Sequence, residues 1–190
     1  MKKIIRVLNV IIVIFGLVNI ASAKKMYVVN VDKGEMPNDI SGWEVTLSEE
    51  YATTKGGLML KVSSKGEGGW MGEYNPKRGI WDGYDYFVFN AYNPGKDPVS
   101  INLTIKPTPN CTYNDRFDQP IVLRPGKNKV EVPLAGATTN GGGAINWKNK
   151  ISQWNINGSI KELYIGSFML MTEDELEENS EKEKKGEKKK

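Results

Sequence analysis

The feature that most constrains this chain is a series of short runs in which apolar and polar residues alternate, each run bounded by Gly, Pro, Asn or Asp. In Val99–Lys106, valine, isoleucine and leucine side chains alternate with polar ones, as in strands with one buried face. Such strands joined by such turns predict an all-β sandwich or jelly roll and not a parallel α/β sheet. The other predicted strands are Met26–Val31, Trp43–Leu47, Leu58–Ser63, Tyr84–Tyr92, Pro120–Arg124, Lys127–Pro133 and Leu163–Leu170.

Three of these segments allow a more specific prediction. Tyr84–Tyr92 is aromatic on both faces, which is typical of a central strand. Pro120–Arg124 and Lys127–Pro133 flank a Pro-Gly pair and are predicted to form a hairpin. The only helical indication in this part of the chain is a turn near Trp147–Trp154.

Residues 1–23 have the pattern of a secretory signal peptide. A basic start is followed by an apolar run from Val7 to Ile20 and by Ala21-Ser22-Ala23, the small-residue pattern of a cleavage site. We expect cleavage after Ala23 and a secreted or periplasmic protein without a transmembrane segment. The alternative is a retained anchor helix, since the run approaches the length that spans a bilayer.

The C-terminal segment, residues 173–190, is almost entirely charged. It is rich in glutamate at first and in lysine at its end, and it lacks aromatic and β-branched residues. Such a segment predicts a solvated tail, either disordered or with a short charged helix near Glu173–Lys185. Its lysines offer a contact to anionic components of the cell envelope. The domain between the two terminal segments covers residues 24–172.

Composition excludes several kinds of chemistry. The chain has no His and one Cys, Cys111, which rules out His-based triads, His-ligated zinc, thiolate zinc clusters and an intrachain disulfide. The net charge of +3 comes from Lys2, Lys3 and Arg6, and the remaining 23 basic residues balance 23 acidic ones. A balanced chain predicts no nucleic-acid partner.

Several motifs of the central domain resemble a known class of module. The motifs are WDGYDYFVFNAYNP at 81–94, PVSINLTI at 98–105, YNDRF at 113–117, LRPGKNKVEVPL at 123–134 and LYIGSFML at 163–170. Their order resembles the galactose-binding-like jelly-roll domains found as carbohydrate-binding modules and accessory domains of secreted bacterial glycoside hydrolases. The resemblance implies a β-sandwich over most of residues 27–170 and a polysaccharide or oligosaccharide partner.

The resemblance also raises the question of a structural calcium ion. In such modules the last strand commonly carries an Asp that helps to hold calcium, and the matching positions here are Gly166 and Ser167. Calcium requires six to eight oxygen ligands, several of them carboxylate. Asp32, Glu35 and Glu49 are other acids that could supply oxygen ligands. We nevertheless predict no metal and no cofactor.

Aromatic residues in loops are the first candidates for ligand binding, because a sugar ring stacks its apolar face on a flat aromatic ring. Trp70 and Tyr74 lie in a Gly-rich segment that leads into a Pro turn. The alternative for Trp70 is that it closes one end of the sandwich. Either Trp147 or Trp154 is a candidate rim contact, and the alternative is that one of them covers the sandwich. Trp81 is expected to pack against the central strand.

Polar candidates lie in the loop that contains Tyr113, Asp115 and Arg116. Arg116 offers a planar donor fork for hydroxyl or uronate groups, and Tyr113 offers a stacking face. The alternative is an ion pair of Arg116 with Asp115 or Asp118 that holds the loop. Asn102 projects from the polar face of its strand, where it either lines a binding surface or is simply solvated.

These observations predict a secreted, non-catalytic carbohydrate-binding module. Two alternatives come from other classes of protein. One is an envelope-associated structural or protein-interaction domain, and the other is a small carbohydrate-active enzyme with paired carboxylates. No sequence motif positively supports catalysis.

Overall fold

The computed structural model describes residues 24–64 and 68–187, so the predicted signal peptide lies outside the described residues. Two antiparallel sheets pack face to face, which confirms the predicted all-β sandwich of the jelly-roll type. The elements are β1 (Lys25–Val29), β2 (Asp39–Ser41), β3 (Trp43–Ser48), β4 (Met59–Ser64), β5 (Gly69–Tyr74), β6 (Tyr86–Asn93), β7 (Val99–Lys106), β8 (Phe117–Leu123), β9 (Gly126–Pro133), β10 (Gln153–Gly158), β11 (Glu162–Ile165), β12 (Phe168–Met171) and α1 (Glu173–Glu187).

One sheet has seven strands and the other has five. In the seven-stranded sheet, β6 is central: it pairs with β9 along one edge and with β11 and β12 along the other. This confirms the prediction that the aromatic run forms a central strand. The five-stranded sheet has the order β2-β5-β10-β7-β8.

The core between the sheets is rich in aromatic side chains. Trp154 is fully buried and lies 4.8 Å from Phe168 and 5.3 Å from Phe87, measured between ring centroids. Trp81 stacks on Phe87 at 5.5 Å, so its predicted packing against the central strand is confirmed. Trp147 in turn stacks on Trp81 at 5.8 Å. The interior therefore consists of interlocked rings contributed by both sheets.

Three local predictions were wrong. The segments around Pro125 do not form a hairpin, because β8 pairs with β7 in one sheet and β9 pairs with β6 in the other. The predicted strand Leu163–Leu170 is divided into β11 and β12 at Gly166 and Ser167. Instead of a helical turn that extends to Trp154, the chain turns at residues 147–148 and then enters β10.

The outer face of the seven-stranded sheet is covered by two segments. Helix α1 is one of the two predicted alternatives for the tail, but the prediction that it is solvated was wrong, because Leu176 is buried against Val88 and Met171. The loop between β3 and β4 places Tyr51 on Tyr92, with ring centroids 3.8 Å apart. Among the described residues, no helix is long and apolar enough to cross a membrane.

Candidate functional site

The outer face of the five-stranded sheet presents its side chains in three rows that run across the strands. In the first row Trp70 lies opposite Asn157, and Asn157 lies opposite Asn102. Side chains alternate between the two faces of a strand, so the neighbours of these residues point into the core. The second row is Gly72, Asn155, Thr104 and Asp118, and the third is Tyr74, Gln153 and Lys106.

These rows line a shallow groove, which we call the polar groove. Its volume is about 370 Å³. Gly72 lies in the middle row, where a Cβ atom would come within 2.0 Å of the carbonyl oxygen of Trp154. Glycine therefore lets β5 and β10 approach closely and leaves this position without a side chain. The residues lining the polar groove are Trp70, Thr104, Lys106, Arg116, Gln153, Asn155 and Asn157.

Trp70 is the aromatic residue of the polar groove. Its side chain is on β5, and the residue is 40% exposed. The indole Nε1 donates to Oδ1 of Asp39 at 3.3 Å, and Gln153 Nε2 donates to the other oxygen of this carboxylate at 2.7 Å. Asp39 on β2 thus orients both side chains and leaves part of the indole face open. Tyr74, at the other end of β5, is 58% exposed.

Carboxamide side chains form a connected series along the middle of the sheet. Asn157 Nδ2 donates to Oδ1 of Asn155 at 2.9 Å and to Oγ1 of Thr104 at 3.1 Å. Asn102 Nδ2 also donates to Thr104 at 3.1 Å. These bonds hold the amides in fixed orientations, and each amide carries both donors and an acceptor. The polar groove can therefore both donate hydrogen bonds to a ligand and accept hydrogen bonds from it.

Asp118 anchors this network at the β8 edge of the sheet. Its Oδ1 accepts from Thr104 at 2.6 Å and from Asn102 at 3.1 Å, and its Oδ2 accepts from Arg116 at 2.7 Å and from Asn140 at 2.8 Å. Burial by itself raises the pKa of Asp118. The bonds from Thr104, Asn140 and Arg116 outweigh burial, so the pKa lies below its usual range and the carboxylate is ionised.

Arg116 links the sheet to the loop that precedes β8. Of the two ion pairs left open by the sequence, the structure shows the pair with Asp118. The guanidinium carbon also lies 5.0 Å from the centroid of the Tyr113 ring, which is within cation–π range. Tyr113 is 64% exposed, so this ring covers one side of the guanidinium and faces solvent with the rest of its surface.

The structure brings some of the predicted site residues together and places others elsewhere. Trp70, Arg116 and Asn102 share the outer face, with Tyr74 and Tyr113 beside it. Asp115 lies apart in its loop, where Oδ2 accepts from the backbone nitrogen and hydroxyl of Thr112. Trp147 is partly buried and donates through Nε1 to the carbonyl oxygen of Leu134. The role of each residue in binding stays a prediction.

Sequence reasoning missed most of the residues that β10 contributes. Gln153, Asn155 and Asn157 alternate with the buried Trp154 and Ile156, so the two-residue period was present in the sequence. The predicted helical turn near Trp147–Trp154 covered only the start of this run, and residues 155–158 were assigned to no strand. Trp70 and Tyr74 were assigned to a Gly-rich loop, but they lie on strand β5.

The residues around Ser167, where the resemblance implied a calcium site, do not fit such an ion. Asp32 Oδ1 accepts from the backbone nitrogen of Leu58 at 3.2 Å, and Oδ2 accepts from Ser167 Oγ at 3.3 Å. Glu35 forms an ion pair with Arg78 at 2.9 Å. Asn30 Oδ1 is buried and accepts no hydrogen bond from any residue that the structure describes, but it supplies a single oxygen. In residues 24–64 and 68–187 no group of three His, Cys, Asp or Glu can hold a metal.

Calcium and chelators are therefore expected to have no effect on stability. A ligand stabilises a protein only when it binds the folded state more tightly than the unfolded state. Differential scanning calorimetry of the chain in excess CaCl2 and in EDTA should give the same Tm. A higher Tm in calcium that EDTA reverses would contradict the hydrogen-bonded arrangement around Asp32.

Comparisons with known proteins place this fold among jelly-roll domains. No family model and no curated protein matches the sequence, whereas 42 solved chains match the structure. A family 11 carbohydrate-binding module from Clostridium thermocellum, solved with a β-1,3-1,4-mixed-linked tetrasaccharide, matches with a TM-score of 0.50 at 15% identity. The match covers 70% of this chain and 85% of the module.

Parts of two larger enzymes match as well. An agarase matches with a TM-score of 0.58 at 15% identity, over 78% of this chain and 24% of the agarase. An exo-β-agarase matches with a TM-score of 0.55 at 8% identity, over 75% of this chain and 24% of that enzyme. This chain thus corresponds to about a quarter of each agarase. It shares the jelly-roll fold of these domains.

Proposed function

We propose that this protein is a non-catalytic carbohydrate-binding module and that a polysaccharide segment binds in the polar groove. The observation that carries the proposal is an exposed indole, Trp70, held in place beside an ordered series of carboxamides. A pyranose ring presents an apolar face that stacks on an indole and hydroxyl groups that both donate and accept hydrogen bonds. The family 11 module that shares the fold was solved with a bound tetrasaccharide, which supports the same class of ligand here.

The outer face of the five-stranded sheet is also accessible, which favours ligand binding in the polar groove. Helix α1 and the Tyr51 loop cover the outer face of the seven-stranded sheet, whereas no described helix lies on the five-stranded sheet. A polymer can therefore lie across β5, β10 and β7 without displacing a described element. Rigid strands position the amides in this arrangement, and the loop before β8 adds Arg116.

The acids of this face are unsuited to glycoside hydrolysis. A glycosidase needs one carboxyl group with a raised pKa that acts as a general acid. The pKa of Asp118 is shifted in the opposite direction, and four donors already occupy its oxygens. Asp39 is bonded to Trp70 and Gln153. These contacts favour binding over catalysis.

Replacing Trp70 with alanine is expected to weaken glycan binding at least about tenfold, because the groove loses its exposed indole stacking surface. Affinity electrophoresis on a panel of soluble polysaccharides would measure the effect. Trp70 is substantially exposed, so the variant should keep its fold. The wild-type protein should release no reducing ends from the same polysaccharides, as expected of a non-catalytic module.

The control for this experiment is Tyr51→Asn, which removes an exposed aromatic ring from the opposite sheet. Tyr51 has a φ of 58°, in the left-handed region that asparagine tolerates. Its glycan binding should equal that of the wild type. If Trp70→Ala bound glycan as tightly as the wild type while Tyr51→Asn bound it more weakly, the binding site would lie on the seven-stranded sheet. That result would contradict the proposal.

A further inference from the structure

The polar groove is lined by two cations, Lys106 and Arg116. The nearby carboxylates, Asp118 and Asp39, have their oxygens bonded to side chains of the groove. Lys106 ends the third row on β7, and Arg116 immediately precedes Phe117, which is paired with Ile105. The two cations therefore lie side by side at the same end of the groove.

Neither cation is fully neutralised by the acids nearby. Only Nε of Arg116 is bonded to Asp118, and the two terminal nitrogens of the guanidinium donate to no described residue. Lys106 has no ion-pair partner within residues 24–64 and 68–187. Asp118 lies deeper, with its side chain 15% exposed against 33% for Arg116. The positive ends thus face outward and the carboxylate lies behind them.

We infer that the polar groove selects an acidic saccharide, one that carries a carboxylate or a sulfate group next to an uncharged ring. This inference rests on the proposed function. The terminal guanidinium nitrogens of Arg116 form a fork that matches two oxygens of either anion, and Lys106 adds a point charge beside it.

The two ends of the groove then bind different parts of the ligand. Trp70 and Tyr74 on β5 stack an uncharged sugar face, and Lys106 and Arg116 hold the anionic substituent. Two strand spacings of about 4.8 Å put Tyr74 roughly 10 Å from Lys106 in the third row, and Trp70 lies about 13 Å from Tyr74 along β5. The ligand is therefore an oligosaccharide and not a single ring, with its acidic unit over β7 and β8.

Isothermal titration calorimetry of the full chain with matched ligands tests the inference. The probes are oligogalacturonate, its fully methyl-esterified form and a sulfated galactose oligosaccharide. We expect one of the anionic probes to bind at least about tenfold more tightly than the methyl ester, with an affinity that falls as salt rises. The probe that responds identifies carboxylate or sulfate as the recognised group.

Lys106→Met supplies the matched variant, because it removes the charge and keeps an unbranched side chain. It should lower the affinity for the anionic probe about fivefold to tenfold and lower binding of the ester much less. Lys96→Met, on the exposed loop between β6 and β7, is the control and should bind as the wild type does.

Other outcomes separate the two proposals. If the ester and both anionic probes bind equally, with Lys106→Met indistinguishable from the wild type, the acidic-saccharide inference is overturned and the proposed function stands. If neither these probes nor any neutral polysaccharide binds, both are overturned.

Discussion

Replacing Trp154 with alanine is expected to lower the free energy of unfolding by about 3–5 kcal/mol, the range for large aromatic truncations in a packed core. Trp154 is fully buried and touches Phe87 and Phe168 from the opposite sheet. Loss of the indole leaves a cavity at the contact between the sheets. Urea denaturation followed by fluorescence or circular dichroism would measure the change.

Loss of a hydrogen bond is expected to lower the stability of Trp154→Ala further. Trp154 Nε1 donates to Oε2 of Glu73 at 3.4 Å, and burial raises the pKa of the Glu73 carboxyl. In the alanine variant this partly buried carboxyl loses its indole donor. Leaving a buried polar group without a partner adds to the cost of the cavity.

Trp70→Ala is the matched control, because it makes the same substitution one strand away on the opposite face. Trp70 is 40% exposed and contacts no core aromatic ring within residues 24–64 and 68–187. Its loss should cost less than about 1 kcal/mol of stability, as is usual for exposed positions. Equal destabilisation by the two variants would contradict the assignment of one tryptophan to the core and the other to the polar groove.

This pair of tryptophans shows what the sequence could and could not predict. The alternation in Val99–Lys106 and the aromatic run around Phe87 predicted strands and a central position correctly, because burial on one or both faces leaves a direct pattern. Trp70 and Trp154 lie in runs interrupted by glycine and asparagine, where the same pattern is weak. Their strands were therefore missed.

The partners of each strand were less predictable than the strands themselves. A Pro-Gly turn between two strands suggested a hairpin, yet Pro125 lies where the chain crosses from β8 in one sheet to β9 in the other. Local turn chemistry is compatible with both arrangements. Long-range packing decides between them, since Leu123 and Val130 both enter the same core.

The candidate site was only partly predictable, because some of its residues depend on how distant strands pair. Exposed aromatic residues and Arg116 can be identified one residue at a time, and several of them lie on one face. The carboxamides of β10 gain a role only through their register with β5 and β7, which no local pattern contains. From the sequence, Asp118 was a candidate partner of Arg116 and one of several acids for a carboxylate pair, whereas its bonds to Thr104 and Asn140 arise from the fold.

Asp118→Asn is expected to have the largest combined effect on the site. The substitution keeps the shape of the side chain but replaces one acceptor oxygen with an NH2 group. That group would face donors, whether it is turned toward Thr104 and Asn102 or toward Arg116 and Asn140. We expect a loss of about 2 kcal/mol in unfolding free energy, typical of a hydrogen-bonded charge that loses its partners.

Binding should suffer as well, because Asp118 orients Thr104, Asn102 and Arg116 together. Movement of these groups by a fraction of an ångström misaligns several hydrogen bonds to the ligand at once, so we expect affinity to fall at least about tenfold. Asp97→Asn, on the exposed loop between β6 and β7, is the control and should change neither stability nor binding. A wild-type affinity in Asp118→Asn would contradict the role of this network.

The pH dependence of stability provides an independent measurement. Because the pKa of Asp118 is lowered on folding, the ionised carboxylate stabilises the protein above the pKa of an ordinary aspartate, about 3.9. That contribution is lost as the pH falls through the lower pKa of the folded state. Unfolding free energies of wild type and Asp118→Asn should therefore differ at neutral pH and converge in acid. A difference that stays constant over this range would show that the ionised form of Asp118 does not hold the network.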